Sequence, residues 1–402
     1  MNDAVKTIVI LGAGQAGATV ALGLRRSGFD GSITLVGEEA HLPYERPQLS
    51  KELLFENDRP PRPIKSEDDY RSQSITLELG RQAASVDAAS KRVRLDDGRQ
   101  LPFDRLVIAT GTRAKRLPAV LDGRSGVIAL RTIEDACALR AALVPGRSLV
   151  IVGGGVIGLE VACAARSRGC EVTIVEAGDR LMSRSVDATV SRFLDRMHRN
   201  AGVDIRYRST LDACLGERRL RLSGGDVLEA DQVLVGIGVE PNTRGFEPLG
   251  IADESGIRVD AWGRTAIESI FATGDVASQP IGDRHGRIET WANAQNHAAA
   301  VAANLLGQQT RYEAPAWFWS DQGATNIQVV GDACAGRAVA RGDVDGDVFS
   351  VFRLADTGHV AGATTVNSSR DMAIARRWVA QRVRVDPARL ADPDVPLRDC
   401  AV

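Results

Sequence analysis

The chain has 402 residues, 44% hydrophobic and 25% charged, with a formal net charge of −2. That length exceeds what one hydrophobic core supports, so two or three domains are expected. The balanced charge excludes the global polyanion-binding signature of a nucleic-acid protein, and no uninterrupted apolar stretch is long enough to span a bilayer.

The opening "MNDAVKTIVI" runs straight into a predicted strand, so no signal peptide is expected. Residues 7–11, "TIVIL", are β-branched and apolar, as a strand buried on both faces should be. Gly12, Gly14 and Gly17 follow in G-x-G-x-x-G spacing. The first glycine suits a tight turn, the second a close approach of backbone to a pyrophosphate, and the third close helix–strand packing. The helix that follows offers its unpaired N-terminal N–H groups to the phosphates. A second strand, "SITLVGEE", leads to Glu38, where a ribose hydroxyl would be gripped. "FDRLVIATGT" (103–112) is a further buried strand ending in a glycine turn.

The unit then recurs. "SLVIV" precedes Gly153, Gly155 and Gly158, and "EVTIVE" ends at Glu176. A carboxylate there accepts from a 2′-hydroxyl and repels a 2′-phosphate, which favours NADH over NADPH. Arg180 and Arg184 lie just beyond; each is either a phosphate or adenine contact or a solvated surface arginine. "ADQVLVGIGVEPNT" (230–243) repeats the shape of the earlier glycine-ended strand, and "SIFATGDVA" (269–277) brings Asp275 to a strand mouth, where it suits a ribitol. Two intact dinucleotide folds argue against a silent half. The economical pairing is FAD in one and NAD in the other, with hydride passing between them.

Three of the five tryptophans, Trp291, Trp317 and Trp319, fall close together; core packing is the expectation for Trp317. The segment "SSRDMAIARRWVAQRVR" places Arg370, Arg376, Arg377, Arg382 and Arg384 around Trp378 on an expected helix, either a docking patch for an acidic partner or a solvated amphipathic face. The six cysteines (Cys137, Cys163, Cys170, Cys214, Cys334, Cys400) form no C-x-x-C and no zinc-finger pair, which fits reduced thiols in a cytoplasm. No metal site is expected.

The motifs "GAGQAG", "YERPQLSKELL", "LVIATGT", "LRTIEDA", "IVGGGVIGLEVA", "VEAGDRLMSR", "GIGVEPN", "ATGDVA", "ETWANAQNHA" and "WFWSDQG", in that order, resemble the FAD-dependent NADH:ferredoxin reductases that serve Rieske-type oxygenases, as in aromatic hydrocarbon catabolism, and bacterial cytochrome P450 systems. Gln48 departs from the second proline more usual in "RPPLSK". The resemblance implies an α/β fold with two Rossmann-like dinucleotide-binding domains, glutathione-reductase-like, plus a C-terminal α+β domain. It implies FAD binding by residues 1–113 and 246–320, NAD binding by 114–245, and a C-terminal domain at 321–402.

The resemblance also implies the site residues. For FAD they are Gly12, Gly14, Ala16, Gly17, Glu38, Arg46, Lys51, Ala109, Thr110, Gly111, Arg131, Gly274, Asp275, Trp291, Ala292 and Trp319. For NAD they are Gly153, Gly155, Val156, Ile157, Gly158, Glu160, Glu176, Arg184 and Gly238. Lys51 and Glu160 are the implied catalytic pair, meeting at the flavin edge where hydride arrives. No pair of close cysteines is present, and Ser50 stands where a single redox cysteine would precede the lysine. Electrons therefore leave to an outside acceptor, which in this family is a separate [2Fe–2S] ferredoxin. An NADH oxidase and a redox-responsive flavoprotein like the apoptosis-inducing factors are the alternatives. The resemblance implies a monomer or homodimer with no membrane or nucleic-acid partner.

Overall fold

The computed structural model describes residues 5–55, 60–118 and 126–402. The chain packs as two units. One comprises Met1–Arg46, Pro61–Arg113 and Val239–Ala314; the other comprises Pro47–Pro60, Ala114–Gly238 and Pro315–Val402.

The first unit is built on a five-stranded parallel sheet with strand order Ile75–Leu79, Ser32–Gly37, Thr7–Leu11, Arg105–Ile108, Ile270–Ala272. Ile8, Val9, Ile10 and Leu11 are all buried, as a central strand covered on both faces requires. Helix Gln15–Arg26 leaves this strand and packs on helix Trp291–Leu305. A Cβ placed on Gly23 would sit 3.1 Å from the Ala302 methyl, so glycine and alanine bring the two helices close.

The second unit repeats this plan in the order Val203–Arg206, Glu171–Val175, Ser148–Val152, Gln232–Val235, Val127–Ala129, again all parallel. The glycine-loop strand is central in both sheets. The duplication extends to an antiparallel three-stranded meander, Ala83–Asp87, Arg92–Leu95 and Gln100–Pro102 in the first unit, Leu211–Cys214, Arg219–Leu222 and Val227–Glu229 in the second. The outermost strand differs in origin: Ile270–Ala272 comes late in the chain, whereas Val127–Ala129 precedes its own glycine loop.

The second unit also carries an antiparallel sheet in the order Trp317–Gln322, Thr325–Gly331, Val360–Val366, Phe349–Leu354, Arg337–Gly342. Helix Ser369–Gln381 packs over it through Met372, Ala375 and Trp378. The expected helix is present but ends at Gln381, so Arg382 (φ +52°) is its cap and Arg384 lies beyond it, bridged to His359. Trp378 is only 3% exposed and its ring centroid lies 6.0 Å from that of Phe352. It is a core residue, and the docking-anchor expectation for it is corrected. Among the described residues no helix is long and apolar enough to cross a membrane, and no cluster of His, Cys, Asp and Glu could hold a metal. All six cysteines are free.

Candidate functional site

In the first unit the loop after Thr7–Leu11 is shaped by steric necessity. Gly12 has φ +111°, and a Cβ there would fall 2.2 Å from the Ala109 carbonyl oxygen. A Cβ on Gly17 would fall 1.9 Å from the Gly12 oxygen. Gly14 is different: a Cβ there meets nothing within 4 Å. It caps helix Gln15–Arg26 without any side-chain hydrogen bond, so the helix N-terminus is open. An open cradle at an uncapped helix N-terminus fits a pyrophosphate.

Of the other FAD-assigned residues, the Ala109–Thr110 backbone and Gly274 lie against this loop. Gly274 (φ +73°) closely approaches Ala16, its Cβ position lying 2.9 Å from the Ala16 methyl. Asp275 follows in the 3-10 turn Gly274–Val276; the cap position of that turn is Thr273, so Asp275 is not an N-cap. Thr110 Oγ1 donates to the Asn242 carbonyl (2.7 Å), and the Asn242 N–H donates to the Gly111 carbonyl (2.9 Å). Trp291 and Ala292 begin helix Trp291–Leu305, whose cap Thr290 accepts from the Asn293 N–H. Arg46 pairs with Glu39 at 2.8 Å and lies over the Tyr44 ring. Glu38 is exposed and accepts from Gln82 Nε2 at 2.7 Å. Strand register pairs Val36 with Leu11 and Val175 with Val152. Gly37 therefore occupies the position of Glu176, and Glu38 lies one residue further on. Three residues assigned to FAD, namely Lys51, Arg131 and Trp319, belong to the second unit.

The second unit's loop obeys the same steric rules. A Cβ on Gly153 (φ +108°) would lie 2.4 Å from the Gly236 oxygen, and one on Gly158 would lie 2.4 Å from the Gly153 oxygen. Gly155, like Gly14, faces open space and caps its helix, Val156–Ser167, with no side chain. Val156 and Ile157 open that helix, and Ile157 is 40% exposed. The two Glu176 oxygens accept from the backbone N–H groups of Gly154 and Gly178, each at 2.6 Å. Glu176 thereby ties the glycine loop to the end of its own strand. Arg184 is exposed, with its guanidinium 3.8 Å from the Cβ position of Gly238 (φ +102°). Arg180 instead donates to the carbonyls of Val186 and Ser183 and to Ser191 Oγ, bracing the 180–191 loop.

The proposed catalytic pair meets in this unit. Lys51 follows the 3-10 turn Arg46–Ser50, and Glu160 lies on the first turns of helix Val156–Ser167. Lys51 Nζ donates to Glu160 Oε1 at 2.7 Å, with the side chains 16% and 2% exposed. Neither is a surface residue. Ser320 Oγ donates to the same carboxylate oxygen (2.8 Å), and Ser50 Oγ donates to the other. A buried carboxylate needs this many donors, because an unpaired charge away from water is costly. Cys163, one turn further along the helix, has its thiol pushed up to about 12, first by burial and then by the Glu160 charge, so it stays protonated and inert.

Ser320, Gln322 and His198 are site residues that the sequence reading did not single out, and Ser50, noted there only for the cysteine it replaces, turns out to hold Glu160. Ser320 and Gln322 sit two apart on one strand and share its buried face, whereas Trp317 and Trp319 share the other. Polar residues at inward strand positions were the available signal. Trp317 and Trp319 stack with centroids 5.5 Å apart, and the Arg376 guanidinium lies 4.2 Å from the Trp317 ring centroid.

Comparison with known proteins fits this geometry. Residues 6–298 match the family model of the pyridine nucleotide-disulphide oxidoreductases, and residues 317–401 match the reductase C-terminal model. The chain is 61% identical to the ferredoxin–NAD(+) reductase component of the p-cumate 2,3-dioxygenase system of Pseudomonas putida, over 100% of both chains. It is 42% identical to the corresponding component of the anthranilate 1,2-dioxygenase system of Burkholderia cepacia, covering 97% of this chain and 98% of that one. Its structure superposes on putidaredoxin reductase, solved in covalent complex with putidaredoxin, with a TM-score of 0.93 at 36% identity over 98% of each chain. With its duplicated glycine loops and its C-terminal sheet, the chain belongs to the pyridine nucleotide-disulphide oxidoreductase family and, within it, to the ferredoxin–NAD(+) reductases of oxygenase systems.

Proposed function

We infer that this chain is the FAD-dependent NADH:ferredoxin reductase of an oxygenase system acting on an aromatic compound. The observation that carries the reading is the pair of open glycine cradles, Gly14 and Gly155, each at an uncapped helix N-terminus. Bound there, FAD would supply a hydride acceptor for NADH and a one-electron donor for a [2Fe–2S] ferredoxin. The chain's own residues bind and orient. Gly12–Gly17, the Ala109–Gly111 turn, Asp275 and the start of helix Trp291–Leu305 hold FAD, with Arg46, Arg131 and Trp319 contributing. Gly153–Gly158, Glu176, Arg184 and Gly238 hold NADH. Lys51 supplies a positive charge that Glu160 fixes in place, and alignment rather than proton transfer is their task.

Residues 1–113 and 246–320 form the FAD-binding domain in this reading, 114–245 the NAD-binding domain and 321–402 the C-terminal domain. The reading places the protein in the cytoplasm, with its thiols reduced. An acidic ferredoxin is steered to the exposed arginines Arg376, which lies over the Trp317 ring, and Arg377. The test is direct: the purified protein should be yellow, carry about one FAD per chain and bleach when NADH is added without oxygen. A colourless protein that cannot be reconstituted with FAD defeats the reading.

A further inference from the structure

The Glu160 carboxylate ends a hydrogen-bonded chain that runs through the interior of the second unit. His198 Nε2 lies 2.9 Å from Gln322 Oε1, Gln322 Nε2 lies 3.2 Å from Ser320 Oγ, and Ser320 Oγ lies 2.8 Å from Glu160 Oε1. Glu160, His198, Ser320 and Gln322 are all buried, His198 completely. The proton count fixes the direction. A carboxylate accepts only, and a hydroxyl has one hydrogen, so Ser320 must give its hydrogen to Glu160. Ser320 can then only accept from Gln322, which turns the amide nitrogen toward it. The amide oxygen is left for His198, which must carry its proton on Nε2.

Every bond in the chain therefore points toward Glu160. An amide does not relay protons readily, so this is not a proton path. What it provides is a line of donors, each fixing the next, whose last member, Ser320 Oγ, meets the same carboxylate oxygen that holds Lys51. Gln322 Nε2 also reaches Met182 Sδ at 3.8 Å. The Met182 N–H donates to the Gly154 carbonyl at 2.9 Å, and Met182 sits at φ +48°. The same glutamine thus touches the segment that backs the second glycine loop.

We propose that Ser320 and Gln322 are positioning residues for Glu160, holding its carboxylate on Lys51 through a one-way chain that begins at a neutral His198. The inference rests on the reading of Lys51 and Glu160 given above. His198 remains neutral because burial lowers its pKa and its Nδ1 has no hydrogen-bond partner among the described residues. The charged and titratable groups around the chain are few. Asp195 on the same helix is held by Arg199 and Tyr207, Asp321 on the Ser320 strand is bonded to Asn326, and Lys51, Glu160 and Cys163 lie at the other end.

Two measurements on the FAD-loaded protein test this. The first is nitrogen NMR of histidine-labelled enzyme, with the His198 signal assigned by its loss in His198→Gln. The expected result is a single Nε2–H tautomer at neutral pH that becomes imidazolium only below the ordinary histidine range. An Nδ1–H tautomer, or an imidazolium at neutral pH, overturns the one-way chain. The second is stopped-flow flavin reduction. Ser320→Ala and Gln322→Met, which keep most of the packing, should slow reduction at saturating NADH on the order of tenfold while the NADH dissociation constant stays within about twofold. Ser320→Thr, which keeps the hydroxyl, should recover the rate. Reduction rates of both variants equal to the parent's overturn the positioning role. A parent protein whose flavin NADH does not bleach would defeat the functional reading instead, and the tautomer result would still decide the chain's direction.

Discussion

Glu160 is the residue on which the account turns. It is a helix acid with 2% exposure, reached by the adjacent Ser50 and Lys51 from one segment and by Ser320 from another. Removing it leaves the Lys51 ammonium mostly buried without its partner, so the effect on position should be large. Glu160→Ala is expected to slow flavin reduction by NADH by about two orders of magnitude while FAD stays bound, because misplacement near a reacting centre commonly costs that much. Stopped-flow bleaching at the parent rate would remove Glu160 from the site. The Lys51–Glu160 pairing was legible in the sequence, since each residue sits in a distinctive motif. The Ser320–Gln322–His198 chain was not. Ser320 and Gln322 share a strand, but each meets its outer partner, Glu160 and His198, across more than a hundred residues, and only the packing of strand Trp317–Gln322 against the helices that carry them reveals the chain.

Elements show how differently two glycines of one motif behave. At Gly155 the backbone is extended with φ −87°, and a methyl would meet no protein atom within 4 Å. At Gly158 it would strike the Gly153 carbonyl. Gly155→Ala should therefore leave folding and FAD content unchanged and raise the NADH dissociation constant. Gly158→Ala should instead lower stability, by about 1–3 kcal/mol as overpacked sites do. Titration of NADH and chemical denaturation of both variants separate the two effects. These loops were readable from sequence because the constraint is local: strand, turn and helix lie within a dozen residues.

Helix Trp291–Leu305 carries a different constraint. His297 is buried and stacked on Tyr312, and burial lowers its pKa from 6.5 to about 4. The unfolded chain then binds a proton that the folded one refuses. The stabilisation is complete above pH 6.5 and is lost as pH falls toward 4, an effect of up to about 3 kcal/mol. His297→Gln should flatten that part of the acid-stability curve, measured as the urea midpoint from pH 7 to 4.5. An unchanged slope would assign the acid loss to other groups.

At the scale of the whole molecule, the duplicated sheets place a glycine-loop strand at the centre of each unit, and the helix that packs over the C-terminal sheet adds the exposed Arg376 and Arg377. The helix Ser369–Gln381 was legible as a helix, but its arginine-rich sequence hid an apolar face at Met372, Ala375 and Trp378. Its exposed residues, not its tryptophan, are available to a partner. Arg376→Glu combined with Arg377→Glu should raise the apparent Michaelis constant for ferredoxin and leave ferricyanide reduction unaltered, and rising salt should slow the parent with ferredoxin only. Ferredoxin kinetics indifferent to both would move docking elsewhere.

The most direct test of the central claim is anaerobic. FAD-loaded protein is mixed with NADH and a purified [2Fe–2S] ferredoxin, and flavin and cluster absorbance are followed together. The account requires the flavin to bleach first and the cluster to be reduced next, two ferredoxins for each NADH consumed, about two because hydride carries an electron pair. A flavin that bleaches but leaves every ferredoxin oxidised, and that recovers its colour rapidly only when oxygen is admitted, would contradict it and mark the protein as an oxidase.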